Sequence, residues 1–375
     1  MTFDEQAREL HARHHGKLAT ALKVPLDTKA DLSLAYTPGV GLISSDIAVD
    51  VSLAKKYTNI GNTVAIITDG SAVLGLGNIG PAAAMPVMEG KAALFKRFAD
   101  IDAVPLCLAT QDTDQIIETV AALAPSFAGI NLEDIAAPRC FEIEAKLRAR
   151  LSIPVFHDDQ HGTATVVLAG LINALKLREL AFADARVVIN GAGAAGIAIA
   201  ELLWDAGIHQ MTVLDSKGAL SMSRTDLTPE KKLIAEKTHA TAGTLAEALV
   251  GAHVFIGVSV ANALTKDMVQ RMNERPIIFA MANPVPEIHP NDAHDAGVYI
   301  MATGRSDFPN QINNALAFPG LFRGALDTAT REITHGHLIK AAHVIADLVA
   351  TPTETMIVPD IFDTRLVPAV AVVFA

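Results

Sequence analysis

The chain has 375 residues, half of them hydrophobic and 19% charged, with a formal net charge of −11 at pH 7. That length exceeds one average core and points to two domains, and the apolar fraction excludes a disordered chain. The acidic balance argues against nucleic acid or an anionic membrane as a general partner, but not against a small anionic substrate held in a local field.

Aromatics are only 5%, so the core is expected to be built from Ala, Val, Ile and Leu, which suits parallel sheets covered by helices. Two cysteines, Cys107 and Cys140, give no disulfide framework and fit a reducing compartment. The polar start MTFDEQAREL is not a secretory signal, and no uninterrupted apolar run reaches about 18 residues. A cytoplasmic protein with no membrane span is expected.

The first stretch, to about Lys23, reads as a polar helix, with His11, His14 and His15 on a solvated face rather than in a metal site. From Val64 strands and helices alternate. VAIITDG (64–70), DAVPLCLAT (102–110), GINLED (129–134) and PVFHDD (154–159) read as strands. The stretches 83–99, 114–127, 138–151 and 162–177 between and after them read as helices. That alternation indicates βαβ units and a parallel sheet. A second series starts at RVVIN and continues through MTVLD (211–215), HVFIGV (253–258), PIIFAMANP (276–284) and VYIMAT (298–303). The expected architecture is α/β with two domains: residues 1–160 as a small α/β domain, and 161–375 as a Rossmann-type doubly wound sheet.

Two stretches match G-x-G-x-x-G, GLGNIG (75–80) and GAGAAG (191–196). The second follows a strand directly and opens a helix. Asp215 ends the next strand, about 20 residues on, where a carboxylate accepts hydrogen bonds from a ribose diol. Gly191, Ala192, Gly193, Ala194, Ala195 and Gly196 are therefore the expected dinucleotide turn, the helix N-terminus facing the phosphates. Asp215 favours NAD over NADP, a preference that Lys217 softens. The first match fails on context. SAVL separates it from its strand, and the acids that follow, Asp100 and Asp102, precede the next strand rather than ending it. It reads as a structural loop or as the wall of another site.

Carboxylates cluster at predicted strand ends: Asp69, Glu133 with Asp134, and Asp158 with Asp159. Adjacent carboxylates repel unless a cation lies between them, and oxygen ligands suit Mg²⁺ or Mn²⁺. Helix capping is the competing reading for Asp159. On the helix 83–99, Lys91 shares a stripe with Val87, Leu94 and Phe98. A buried lysine loses charge readily and can act as a general base, whereas a snorkelling lysine does not. Tyr36, in AYTPGV (35–40), precedes a turn and reads either as a packed side chain or as a proton donor.

These stretches resemble the malic enzyme family, and its small prokaryotic type in particular. The motifs occur in order over nearly the whole chain: YTPGV, TDGSAVLGLGNIGP, EGKAALFKRFADIDA, NLEDI, FHDDQHGTA, GAGAAG, ANPVPEI and NNALAFPG. The resemblance implies oxidation and decarboxylation of L-malate to pyruvate and CO₂, with NAD or NADP and Mn²⁺ or Mg²⁺. It implies Tyr36 as general acid, Lys91 as general base, and Glu133, Asp134 and Asp159 as metal ligands. It implies Asn283 and Asn314 near substrate and nicotinamide, with Asp158 behind the metal. A homodimer or higher homo-oligomer is expected. The chain departs from larger members at Ala72, where they carry an arginine for a substrate carboxylate. The backbone of the Gly75–Gly80 loop, or Asn283 and Asn314, is the expected substitute. The apolar end AVAVVFA suggests a shortened terminus with no appended acyltransferase-like domain. Malolactic conversion to lactate with held NAD, a metal-independent amino-acid dehydrogenase and a catalytically dead nucleotide-binding regulator are the alternatives, the last disfavoured by the intact candidate residues.

Overall fold

The computed structural model describes residues 2–241 and 243–375. The chain opens with helices α1 (Phe3–His14), α2 (Lys29–Ala35), α3 (Gly39–Val49) and α4 (Ala54–Tyr57), none of which has a buried residue. The first helix stops well short of Lys23, because His15 and Gly16 both turn to positive φ. By length and composition alone Lys29–Val49 is apolar enough to cross a membrane, and none of it is buried. The chain divides that stretch into two helices on either side of Tyr36–Pro38.

The first sheet has the order β2-β1-β3-β4, all parallel, with β1 at Thr63–Thr68, β2 at Asp102–Cys107, β3 at Gly129–Leu132 and β4 at Val155–His157. Its helices are α5 (Pro81–Ala99), α6 (Thr113–Leu123) and α7 (Arg139–Arg150). Every residue of β1 is buried, as an apolar run covered on both faces should be. The chain then enters a long helix, α8 (Asp158–Arg178), that carries it to the second sheet. The strand expected over 154–159 therefore ends at His157, and Asp158 and Asp159 form the first turn of α8 instead.

The second sheet has the order β10-β9-β8-β5-β6-β7. Its strands are β5 (Val187–Asn190), β6 (Met211–Asp215), β7 (Gly218–Ala219), β8 (Val254–Gly257), β9 (Ile277–Ala280) and β10 (Ile300–Thr303). All pairs are parallel except β6 with β7. Helix α9 (Ala194–Asp205) follows β5, and α10 (Pro229–Thr238) follows β7. In both sheets the chain reverses direction across one central strand: β2 and β3 flank β1, and β6 and β8 flank β5. Open parallel sheets bind ligands beyond the strand carboxyl ends at such switch points.

One apolar cluster joins the two halves. Phe95 of α5 packs edge-on against Phe318 and Phe322, with ring centroids at 4.6 and 5.2 Å. Phe156 of β4 meets Phe322 from the other side. The buried stripe of α5 is Ala84, Met88, Lys91, Ala92, Phe95 and Ala99. Lys91 is on it as expected, but its apolar companions are Met88 and Phe95. Val87, Leu94 and Phe98 are only half-buried.

Candidate active site

The turn after β1 is fixed from below. Buried Asp69 accepts hydrogen bonds from Ser71 N (2.9 Å) and Ser71 Oγ (2.5 Å), and from Arg139 Nη2 at 2.6 Å. Ser71 Oγ in turn accepts from Ala136 N at 2.9 Å. Asp69 thus ties the loop after β1 to the loop after β3, and its charge is already matched by Arg139. The Ala72 amide donates to the Asp134 carbonyl at 3.0 Å, which brings the two loops edge to edge.

Lys91 enters from α5 and is only 7% exposed. Its ammonium contacts the Asp158 carboxylate directly, lies 2.9 Å from Glu133 Oε1, and sits 4.2 Å over the Phe318 ring. The sequence left two readings open, a lysine that snorkels to the surface or one whose charge is weakened by burial. Burial does push in that direction, but Asp158 and Glu133 override it and hold the Lys91 pKa well above its usual value. The resting lysine is therefore charged.

Glu133, Asp134 and Asp159 converge beside it. Glu133 Oε2 accepts from Asn131 Nδ2 at 2.8 Å, and Asp159 Oδ2 accepts from the Asp134 amide at 2.8 Å. Asp134 holds a positive φ of 54°, and its buried Oδ2 has no hydrogen-bond partner. Burial is the largest cause that pushes all three carboxyl groups upward, and their neighbouring carboxylates add to it. An unpartnered acceptor among mutually repelling hard oxygens is the chemistry that a divalent cation relieves. The donor types fit Mg²⁺ or Mn²⁺, although among the described residues no three ligating side chains are drawn to metal distance.

Behind this cluster Glu144, on α7, holds the first turn of α8. It accepts from His157 N at 3.0 Å and Gln160 Nε2 at 3.2 Å, and it pairs with His161 Nε2 at 2.9 Å. His157 is fully buried with neither ring nitrogen bonded, and burial pushes it down to about 4. A neutral imidazole thus backs Asp159, with Nε2 3.8 Å from its carboxylate.

The second sheet supplies the facing wall. Gly191 has a φ of 119°, and a Cβ on Gly196 would lie 1.7 Å from the Gly191 carbonyl, so strand and helix approach as only glycine permits. Asn190 Nδ2 donates to Ser259 Oγ at 2.8 Å. Glu287 is fully buried and accepts from the Ser259 and Ala282 amides at 2.9 and 3.0 Å, which pins the loops after β8 and β9. Sequence reasoning did not single out Glu287 or Ser259. The signal for Glu287 was a lone acid among apolar neighbours in ANPVPEI.

A cavity of about 790 Å³ lies between the two sets of strand ends. Its wall includes Lys91, Glu133, Asp134 and Asp159 from one side, and Gly193, Ala194, Ala195, Asn283, Asn313 and Asn314 from the other. Ala72, Leu74 and Gly75 close one flank, so GLGNIG reaches the cavity wall through Gly75 alone. Gly75 is needed there, because a Cβ would lie 1.9 Å from the Asn283 carbonyl. Gly191, Ala192 and Gly196 stand behind the turn rather than in the wall. Asp215 lies further out, at the end of β6. It is not a bare acid: Arg224 grips both oxygens at 2.8 and 3.1 Å and Lys231 binds at 2.7 Å. Lys217 turns instead to Asp226 at 2.7 Å. One of the two expected catalytic residues is also missing from the cavity. Tyr36 is 65% exposed and is not part of the wall.

Both halves of the chain match known family models, the malic enzyme N-terminal domain over residues 15–148 and the malic enzyme NAD binding domain over residues 160–374. The chain belongs to the malic enzyme family. It is 54% identical to a bifunctional malic/malolactic enzyme of Bacillus subtilis, over 99% of this chain and 92% of that protein. It is 47% identical to an NADP-dependent malic enzyme of Halomonas elongata, over 93% of this chain and 83% of that protein. The crystal structure of an NAD-dependent malic enzyme from Thermotoga maritima superposes with a TM-score of 0.94, at 48% identity, covering 98% of each chain. This chain has the two-domain α/β plan, with an N-terminal domain and a Rossmann-type NAD-binding domain.

Proposed function

We propose that this chain oxidises and decarboxylates L-malate to pyruvate and CO₂, using NAD or NADP and a divalent cation. The observation that carries this reading is the single cavity in which Lys91 and three carboxylates face the cofactor turn. Glu133, Asp134 and Asp159 would hold Mn²⁺ or Mg²⁺, which when bound polarises the 2-hydroxyl and C1 carboxylate of malate. A dinucleotide along Gly191–Gly196 supplies the hydride acceptor.

The chain's own residues then divide the proton work. Lys91 takes the hydroxyl proton once its own proton has moved. Asp158 is the natural recipient: it touches the ammonium and is pushed up to about 7 by burial, so it can hold a proton near neutral pH. Asn283 and Asn314 donate to the substrate carboxylate or the nicotinamide amide, taking the place of the arginine that Ala72 does not provide. The resemblance assigns to Tyr36, a residue that stands outside this cavity wall, the proton that C3 gains after CO₂ leaves. Asp215 favours the ribose diol of NAD, and Arg224 with Lys231 supplies the positive charge that a 2′-phosphate needs, so NADP is accepted as well. The same reading makes the protein a cytoplasmic homo-oligomer.

Malolactic conversion is a second reading, favoured by the similarity to the Bacillus bifunctional enzyme. An assay with malate, NAD or NADP, and Mn²⁺ or EDTA separates the possibilities. Pyruvate with one equivalent of reduced cofactor, abolished by EDTA, is the expected result. Lactate without net reduced cofactor supports the second reading, and turnover that is insensitive to EDTA overturns the metal assignment.

A further inference from the structure

We infer that Glu287 is a positioning residue that makes the cofactor site favour the oxidised nicotinamide, which is cationic, over the reduced one, which is neutral. The inference rests on the malate-oxidising reading above. Glu287 does not line the cavity itself; its carboxylate lies directly behind the wall formed by the loops after β8 and β9. Oε1 accepts from the Ser259 amide at 2.9 Å and from Ser259 Oγ at 3.3 Å, and Oε2 accepts from the Ala282 amide at 3.0 Å. Ser259 and Ala282 both belong to the wall. The carboxylate also presses on the end of β8, where a Cβ on Gly257 would lie 2.4 Å from its carboxyl carbon.

The charge of this group is unmatched. Each of these partners donates a hydrogen bond, so the ionised form is the one they fit. Burial pushes its pKa up, and the hydrogen bonds from Ser259 and Ala282 oppose that shift. A buried charge is costly unless it is paired. Among the described residues no lysine, arginine or histidine pairs with Glu287, and the groups that hold its charge are amides and a hydroxyl. The carboxylates across the cavity differ, because Glu133 and Asp158 hold Lys91, and Asp134 and Asp159 face the proposed cation.

Glu287 also orients two peptide groups toward the cofactor side. The Val258–Ser259 and Met281–Ala282 bonds are not among the cis peptides. In a trans peptide the carbonyl points opposite to the amide hydrogen. The Val258 and Met281 carbonyls are therefore turned away from the carboxylate. The first meets Gly191, where a Cβ would lie 2.4 Å from it, and the second lies 3.5 Å from the Cβ position of Gly304. Gly191 opens the cofactor turn and Gly304 lines the cavity. Asn190 Nδ2, at the end of β5, donates to Ser259 Oγ at 2.8 Å and carries the same hold to the strand before that turn. Two carbonyl dipoles and the charge behind them thus act in the same direction. Hydride addition removes the positive charge of the nicotinamide ring, so charge beside the ring discriminates between the two cofactor forms. Glu287 draws in the oxidised cofactor and eases release of the reduced one.

Dissociation constants for NAD⁺ and NADH, measured by calorimetry without malate, test this apart from turnover. The wild type is expected to bind NAD⁺ at least as tightly as NADH. Glu287→Gln removes the charge and is expected to weaken NAD⁺ relative to NADH about tenfold, the effect of one unit charge at intermediate dielectric. Glu287→Asp keeps the charge and is expected to keep the wild-type ratio, even where both forms bind more weakly. Ser259→Ala loosens the loop without touching the charge, and should weaken both forms alike. An unchanged ratio in Glu287→Gln overturns the inference, and so does an equal shift in Glu287→Asp, which would reduce the role to loop packing. Should Glu287→Gln fail to fold, the wild type decides, and tighter binding of NADH than of NAD⁺ overturns the inference. A wild type that binds both forms but does not oxidise malate counts against the catalytic reading instead.

Discussion

At Lys91 the local charge balance decides the chemistry. The resting ammonium is held by Asp158 and Glu133, so a neutral base appears only when a proton moves to Asp158 or when a cation offsets the carboxylates. Lys91→Ala should lower kcat by about 10²–10⁴-fold, the usual range for a lost general base. Single-turnover measurement of cofactor reduction checks this, and Lys91→Arg should give no rescue, because arginine does not give up its proton. At Asp215 burial opposes the charge, but Arg224 and Lys231 prevail and lower its pKa to about 2. The stabilisation from this depressed acid is therefore complete above its unfolded pKa near 4 and is lost as pH falls through about 2. Asp215→Asn should flatten the acid limb of a stability-against-pH curve in that window. Arg224→Ala should reduce kcat/KM for NADP about tenfold more than for NAD, since one charge-assisted hydrogen bond is worth about 1.5–3 kcal/mol. Equal losses for the two cofactors would remove Arg224 from phosphate recognition.

Helices α5 and α8 carry the site, and both lean on residues outside it. Glu144→Ala removes the acceptor for the His157 amide and two side chains, an expected loss of about 1–3 kcal/mol by denaturant melt. Because Asp158 and Asp159 ride on that turn, the same variant should need more Mn²⁺ for half-activation. Phe95→Ala, at the ring cluster that joins the halves, should cost about 3–5 kcal/mol. These elements also show what a sequence can and cannot reveal. Strands β1, β3 and β6 were legible because buried apolar runs end in acids or turns. The facing of α5 was misjudged by about one position. Val87 and Leu94 are as apolar as Met88 and Phe95, yet they are only half-buried at the edge of the core, where they line the cavity. Periodicity cannot distinguish an apolar cavity wall from an interior. Likewise Asp158 looks like a strand end, since only the hydrogen-bond pattern tells that α8 has begun. Tyr36 was legible as a residue type in a turn, but its absence from the cavity wall is set by tertiary packing, which no local pattern encodes.

Across the whole molecule, the two switch points face each other, and the proposed cation ligands come from the loop after β3 and the start of α8. Mn²⁺ at about 100 times its Kd should therefore stabilise the folded chain by about 2.7 kcal/mol, read as a rise in melting temperature. Asp134→Asn should erase most of that rise, whereas a surface change such as Glu118→Gln should not. The meeting of Gly75 with the Asn283 carbonyl has a further mechanical meaning. It is backbone against backbone, so no side chain can rotate away to let the halves come closer. It works as a doorstop between the half that carries the candidate cation ligands and the half that carries the glycine turn. Hydride transfer demands reacting atoms about 3–3.5 Å apart. A single methyl group at residue 75 would act as a shim at that contact, and is expected to leave both halves folded and both ligands bound, with the donor carbon stranded just out of reach of the acceptor.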